Sequence, residues 1–142
     1  MNKIEDVILF QIDLTNKVSK QYSQKEFDKL NLGITVEQWV ILKFLSEKTD
    51  LNQKELAVKS NRDPASITRT LDLLEKKDLL KRLAIPNNRR SYKIGLTIKG
   101  KNFIKKNMPL IIEQRKRSIK GITTSELKTL SLILSKIREN MK

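Results

Sequence analysis

Basic side chains cluster in the middle of the chain, where they could bind the phosphates and read the base edges of a nucleic acid. Residues 51–120 contain 19 basic and 6 acidic residues, whereas residues 1–50 contain 7 basic and 8 acidic residues. The whole chain has a net charge of +14, so nearly all of the excess lies in this central segment. A basic block between near-neutral ends indicates a polyanion-binding module held by structural flanks. The alternative is a basic surface that only promotes solubility, although solubility does not require such segregation.

Other kinds of chemistry are poorly supported by the composition. The chain has no cysteine and no histidine. This removes thiol chemistry, the commonest metal ligand and the usual general base near neutral pH. The acidic residues are scattered, and no pair of them lies in an apolar setting. We therefore expect no enzymatic activity, no metal and no cofactor.

Two short helices with strong start signals are predicted within the basic segment. Asn52 begins a sequence like a capping box, and Asp63-Pro64 supplies an N-cap followed by a proline suited to the first helical position. Beyond Pro64, apolar residues recur at helical spacing, at Ile67, Leu71 and Leu74. Two short capped helices joined by a tight turn form a helix-turn-helix, whose second helix is the recognition helix.

The side of the recognition helix opposite the apolar stripe is predicted to contact DNA. The predicted residues on this face and its flanks are Pro64, Ala65, Ser66, Thr68, Arg69 and Lys76. Arg69 is the candidate for reading a base edge, since arginine can donate two hydrogen bonds to guanine. Alternatively, Arg69 pairs with Asp72 on the same helix.

A basic hairpin is predicted directly after the recognition helix. Residues 79–85 and 91–96 are predicted strands, and residues 86–90 form a polar tip between them. A hairpin in this place is a wing. The predicted DNA contacts at its tip, whose long donors suit a minor groove or phosphates, are Asn87, Asn88, Arg89 and Arg90.

A helix before this region is predicted to be structural. Thr35 and Gln38 form a capping box at its start. The residues that this helix is predicted to bury are Val36, Trp39, Val40 and Phe44. Trp39 is interpreted either as a core residue or as part of the wall of a ligand pocket.

Long helices are predicted at both ends of the chain. The first covers roughly residues 3–29, and after the wing a helix capped by Thr97 runs to near Lys120, with a kink at Pro109. Thr123 begins the last helix in a capping box. The apolar seam of this helix needs a partner, either the first helix of the same chain or a second subunit. The predicted dimerisation residues are Ile4, Val7, Ile8, Leu127, Leu130, Leu134 and Ile137.

These elements predict a mainly α-helical fold with a small β-hairpin wing, in an α+β winged helix-turn-helix arrangement. We expect a single domain over residues 1–142, with a winged helix-turn-helix lobe at 34–97 and dimerisation helices at 1–33 and 98–142. No segment approaches the roughly 20 apolar residues needed to span a bilayer, and the first residues do not read as a signal peptide. We expect a cytoplasmic protein with no membrane partner.

Three segments resemble the wing region of the MarR (multiple antibiotic resistance regulator) family. They are Asp78-Leu79-Leu80-Lys81-Arg82, Asn88-Arg89-Arg90 and Leu96-Thr97-Ile98-Lys99-Gly100. The family pattern is Leu-Glu-Lys-x-Gly-Leu-x-x-Arg, then Asp-x-Arg, then Leu-Thr-x-x-Gly. Two departures are Asp78, where the family usually has glycine, and Asn88, where the wing usually has an aspartate that would brace its arginine.

The resemblance implies a homodimer joined through the N- and C-terminal helices, with each recognition helix in a major groove and each wing beside it. It also implies that a small, often aromatic ligand can release the DNA. The expected function is therefore a ligand-responsive transcription regulator, a repressor that binds a palindromic double-stranded DNA site. The alternative is a winged-helix adaptor whose basic face docks on an acidic protein.

Overall fold

The computed structural model describes residues 3–142, except for the side chains of residues 88–91. In chain order, its elements are a short 3-10 turn (Ile4–Asp6), α1 (Ile8–Lys29), α2 (Val36–Glu47), β1 (Leu51–Asn52), α3 (Gln53–Ser60), α4 (Pro64–Lys76), β2 (Leu80–Ile85), β3 (Asn88–Leu96), α5 (Ile98–Ser118) and α6 (Thr124–Asn140). The predicted fold class, mainly helical with a small β-hairpin wing, is confirmed.

Capping boxes begin three of the helices as predicted. Thr35, Asn52 and Thr123 each accept a hydrogen bond from the backbone N–H three residues later. The Gln or Glu at that later position accepts a hydrogen bond from the N–H of the cap residue in return. Each capping box satisfies backbone donors that a helix start would otherwise leave unpaired, and one cap contributes about 1 kcal/mol.

The sheet has three antiparallel strands in the order β1-β3-β2. Strand β1 was not predicted, because two residues carry no detectable alternation. Its Leu51 pairs with Ile94 of β3, and both side chains are almost completely buried. The pairing therefore anchors the wing to the segment that leads into α3.

The prediction for the buried face of α2 was partly wrong. Trp39 is buried, but Val40 is 37% exposed, and the other fully buried positions are Ile41, Leu42 and Leu45. Val36 and Phe44 are only partly buried. Almost every position from 39 to 45 is apolar, so the spacing of apolar residues did not indicate which face turns inward.

Contacts divide the chain into two compact units, Met1–Pro109 and Leu110–Lys142. The boundary falls at Pro109 inside α5, where the proline lacks the N–H that would extend the helical hydrogen bonding. In the second unit, Gly121 adopts φ +84° between α5 and α6. All of α6 lies within the described residues, and none of its side chains is buried.

The N-terminal helix differs slightly from its prediction. Val7 is extended and separates the 3-10 turn from α1, which begins at Ile8. Within the described part of the chain, no helix is long and apolar enough to cross a bilayer. The same residues contain no group of three or more acidic side chains placed to hold a metal ion.

Candidate nucleic-acid interface

Helix α4 is stabilised by its N-cap residue and by its buried apolar stripe. The Asp63 carboxylate accepts a hydrogen bond of 2.8 Å from the N–H of Ser66, and Pro64 occupies the first turn. The predicted apolar stripe, whose side chains are all completely buried, is Ile67, Leu71 and Leu74. One side of α4 is therefore fixed in the core, which leaves the opposite side in solvent.

Helix α3 is joined to α4 by a tight turn and by a side-chain hydrogen bond. Asn61 ends α3 in the left-handed conformation with φ +53°, a conformation that asparagine tolerates better than most residues. Gln53 Nε2 donates to Thr68 Oγ1 at 2.5 Å, and that hydroxyl in turn donates to the carbonyl oxygen of Pro64. The pair α3–α4 is a helix-turn-helix, and the polar contact between Gln53 and Thr68 was not predicted.

Most of the α4 residues predicted to contact DNA lie on the exposed side of this helix. Ser66 is half-buried, and the exposed members of the predicted set are Pro64, Ala65, Thr68, Arg69 and Lys76. The alternative pairing of Arg69 with Asp72 does not occur. Asp72 binds Arg82 instead, at 2.6 Å, and no ion pair of Arg69 is found among the described residues.

Arg82 joins the wing to the recognition helix. Its Nη2 lies 2.6 Å from the Asp72 carboxylate and 2.9 Å from the Glu75 carboxylate, and its backbone N–H donates to Glu75 at 3.0 Å. The hydrogen bonds from the side chain and backbone of Arg82 lower the pKa of Glu75. The hydrogen bond to Glu75 raises the pKa of Arg82. Strand β2 is thereby held against α4 by charge-assisted hydrogen bonds.

The wing tip is shorter than predicted. Strands β2 and β3 are joined at Pro86-Asn87, where Asn87 is exposed and adopts φ +67°. The prediction that residues 88–90 belong to a loop was wrong, since β3 begins at Asn88. The side chains of Asn88, Arg89 and Arg90 lie outside the described residues, so their contacts remain predictions.

Part of the chain matches a known protein family. Residues 34–92, which include α2, the helix-turn-helix and most of the wing, match the MarR family.

Solved structures of MarR-type regulators share the fold of the whole chain. A MarR/EmrR family transcriptional regulator from Acinetobacter sp. ADP1 is 23% identical, with a TM-score of 0.88 over 98% of this chain and 97% of that chain. A MarR-family regulator from Rhodococcus sp. RHA1 is 22% identical, with a TM-score of 0.86 over 96% of each chain. The S. aureus MepR–DNA complex is 20% identical, with a TM-score of 0.82 over 99% of this chain and all of that chain.

The MarR motif Leu-Thr-x-x-Gly has a clear structural reason at the base of the wing. The hydroxyl of Thr97 donates to the carbonyl oxygen of Asp78 at 2.6 Å and accepts from the N–H of Gly100 at 2.9 Å. The N–H of Thr97 donates to the carbonyl oxygen of Leu79 at 3.2 Å. A Cβ at position 100 would overlap that same Leu79 oxygen, so the start of α5 can lie here only with glycine.

Asp78 occupies the position where the MarR pattern usually has glycine. It adopts φ +62°, the left-handed conformation that follows the end of α4, and its N–H bonds to the Glu75 carbonyl. Aspartate tolerates this conformation at some cost. The departure from the family pattern therefore keeps the backbone geometry of the turn.

Trp39 is a buried member of an aromatic cluster. Its ring lies 6.2 Å, centroid to centroid, from Phe27 of α1 and from Phe103 of α5. The side chain is 1% exposed, and its Nε1 has no hydrogen-bond partner among the described residues. The interpretation as a core residue agrees with this burial, and its role in a ligand pocket stays a prediction.

The residues predicted to form a dimer interface are exposed or half-buried in the single chain. Ile4, Val7 and Ile8 are 63%, 43% and 57% exposed. In the second unit, Leu130 is 49% exposed, and the half-buried members of the set are Leu127, Leu134 and Ile137. Their role in dimerisation stays a prediction.

Proposed function

We propose that the protein is a transcription regulator that binds duplex DNA sequence-specifically, with α4 in the major groove. This proposal rests on the difference in burial between the two sides of α4. Its inner stripe is completely buried, while Arg69 and Lys76 lie on its exposed side. Arg69 has no ion-pair partner among the described residues, so its donors are available to a base edge or a phosphate.

The charge around α4 supports a polyanionic partner. Residues 79–112, which contain β2, β3 and the first part of α5, include nine basic and no acidic residues. Such a segment attracts phosphates, and the affinity falls as salt rises because the counterions released from the DNA gain less entropy in more concentrated salt. The S. aureus MepR–DNA complex, whose fold is similar over the whole chain, supports the same conclusion.

The proposal includes a homodimer that recognises a palindrome. The first half of α1 presents a run of apolar side chains to solvent, including Ile8, Leu14 and Val18, which are each at least 50% exposed. An apolar surface of this kind marks an interaction site. Two copies related by a two-fold axis present two recognition helices, and a palindromic site matches that symmetry.

The test is to select bound duplexes from a random pool and then to measure the affinity of the selected site by fluorescence anisotropy. Arg69→Ala should weaken binding to the preferred site by about 1–3 kcal/mol and relax the sequence preference. Arg89→Ala or Arg90→Ala should weaken binding to all duplexes alike and reduce the salt dependence, as expected for phosphate contacts. Arg138→Ala, which removes an exposed arginine of α6, is the matched control and should have little effect.

Unchanged affinity in all three interface variants would exclude this face. If no duplex is selected and the basic face binds acidic proteins instead, the adaptor function is correct. The proposal has no catalytic step.

The finer parts of the proposal are repression, release by a ligand and a cytoplasmic location. A small aromatic ligand that prefers a dimer geometry unable to bind DNA would lower the affinity by its differential binding. Duplex affinity measured with a panel of aromatic acids, together with the fluorescence of Trp39, tests this. A reporter gene placed behind the selected site distinguishes repression from activation.

A further inference from the structure

A cavity of about 580 Å³ lies behind the wing, within the first compact unit. It is formed by the end of α2 with the following turn, by strands β2 and β3, and by the first turns of α5. This volume falls in the range of small-molecule sites, which is roughly 300–1,000 Å³. It is separate from the exposed side of α4, and none of the residues predicted to contact DNA lines it.

The lining of this cavity combines an aliphatic floor with a basic rim. Its apolar lining residues are Leu45, Leu83, Ile94, Leu96 and Ile104. No aromatic residue lines it among the described side chains. Three lysines, Lys93, Lys101 and Lys105, supply the rim.

The charges of this rim are only partly compensated. Asp50 is the single acidic lining residue, and it lies 3.9 Å from Lys93, at the limit of an ion pair. Within the described part of the chain, Lys101 and Lys105 have no ion pair. The cavity therefore attracts an anion, and two of its ammonium groups are available to bind one.

Gly95 of β3 lies in the lining of the cavity and has no side chain to fill the adjacent space. A glycine inside a strand weakens it, and such a residue often marks a bulge or a close approach of a ligand or another backbone. The pairing of β2 with β3 is regular at Gly95, since the register shift lies between Ala84 and Ile85. A Cβ at Gly95 would meet no atom within 4 Å, so no backbone approaches it. The strand therefore leaves room beside Gly95 for part of a ligand.

We infer that this cavity binds an aliphatic carboxylate, with its chain on the Leu and Ile floor and its carboxylate on Lys101 and Lys105. The absence of aromatic side chains from the described lining favours an aliphatic over an aromatic body. A DNA phosphate would use the lysines but not the apolar floor. The inference does not depend on the proposed DNA binding, because the cavity is tested with free protein.

The experiment titrates the full chain with octanoate and with the neutral octanamide at physiological salt, and follows the backbone amide of Gly95 by NMR. Octanoate should shift the Gly95 signal and bind about tenfold more tightly than octanamide, because only the anion makes charge-assisted contacts. Lys101→Gln with Lys105→Gln should reduce octanoate binding about tenfold to the level of octanamide and leave octanamide unchanged. Gly95→Leu fills the space and should abolish binding of both compounds.

Matched controls separate this site from general effects of charge and hydrophobicity. Lys128→Gln with Lys136→Gln removes the same charge from α6, and Ala84→Leu adds the same side chain to an exposed position of β2. Both controls should bind octanoate like the wild type. If Gly95→Leu fails to fold, as judged by circular dichroism, the variant with Lys101→Gln and Lys105→Gln decides the test by itself.

Three outcomes would overturn the inference. They are equal affinity for octanoate and octanamide, an equal loss in the control variants, and signal changes around Trp39 with none at Gly95. If octanoate does not bind and the lysine pair instead weakens duplex binding, the lysines contact DNA phosphate and the inference is wrong.

Discussion

The winged-helix region and the two end helices differ in how far they bury their apolar residues. In α4, three apolar side chains are completely buried, whereas α6, which is fully described, has no buried side chain, and α1 buries only Phe27. A region that completes its core within one chain is stabilised by its own packing. Helices with exposed apolar faces are stabilised when another surface covers them. The two regions should therefore respond differently to mutation, one through unfolding and the other through association.

The largest effect is expected from charges placed on the exposed face of α1. Ile8→Glu with Leu14→Glu should weaken the proposed dimer by roughly 4 kcal/mol, about a thousandfold, because each apolar side chain loses the free energy of burial. Sedimentation equilibrium measures this change, and the wild type should have about twice the 16.5 kDa chain mass. Val58→Glu with Ile98→Glu is the matched control, since these side chains are 76% and 79% exposed elsewhere. A monomeric wild type at micromolar concentration would contradict the expectation that a second copy covers the exposed apolar face of α1.

The next effect concerns packing within the winged-helix region. Gly100→Ala should destabilise the fold by about 3 kcal/mol, because its Cβ would overlap the carbonyl oxygen of Leu79. Gly95→Ala is the control, since a Cβ there meets nothing, and its effect should stay below about 1 kcal/mol. Urea unfolding at one protein concentration measures both. Equal unfolding midpoints for the two variants would show that the close approach at Gly100 does not limit packing.

A smaller, pH-dependent effect is expected at the contact between the wing and α4. The pKa of Glu75 is lowered in the folded protein, so its pair with Arg82 stabilises the fold above the ordinary glutamate pKa of about 4.3. This stabilisation is lost as the pH falls through the lower pKa of the folded state. Glu75→Gln should lower the free energy of unfolding by roughly 0.5–1 kcal/mol at pH 7, a small effect because solvent screens a side chain that is 39% exposed. The substitution should have no effect at a pH where Glu75 is protonated.

Thermal melts of the wild type and Glu75→Gln between pH 2 and 7 measure this difference. Glu113→Gln, on α5, removes an exposed carboxylate as the control. A difference in stability that is the same at both ends of the pH range would mean that the Glu75 charge does not contribute.

The smallest effect is expected at the end of α4. Asp78→Gly should stabilise the fold by about 0.5 kcal/mol, because glycine adopts φ +62° without the steric cost of a Cβ. Asp78→Ala keeps the Cβ and lacks the tolerance of aspartate for this conformation, so it should be destabilising. The same melts compare the two variants, and a stabilising alanine would refute this explanation.

Sequence reasoning succeeded where the signal is local. The capping boxes at Thr35, Asn52 and Thr123 and the start of α4 depend on residues three positions apart, and all of them form as predicted. The apolar stripe of α4 was correct because polar residues separate its members. Local chemistry was sufficient to predict the helix-turn-helix.

Sequence reasoning failed where the structure of a segment depends on residues far away in the chain. The buried face of α2 is set by what packs on it, since apolar residues occupy nearly all positions from 39 to 45. The two-residue turn at Pro86-Asn87 arises from the pairing of β2 with β3, which a polar sequence does not indicate. The contact of Arg82 with Asp72 joins a strand to a helix, and only its place in the family pattern could have suggested a role.

The hydrogen bonds at the base of the wing join the two ends of the hairpin, so the hairpin is a closed loop. Thr97 is bonded to both Asp78 and Leu79, so the ends of the intervening segment are held together independently of its tip. Lengthening a closed loop changes the free energy of folding little, by about 0.6 kcal/mol for each doubling of the loop length. Residues inserted between Pro86 and Asn87 would extend the hairpin while the core keeps its packing. In evolution, the wing is therefore a segment that can acquire new length and new surface without any change in the rest of the fold.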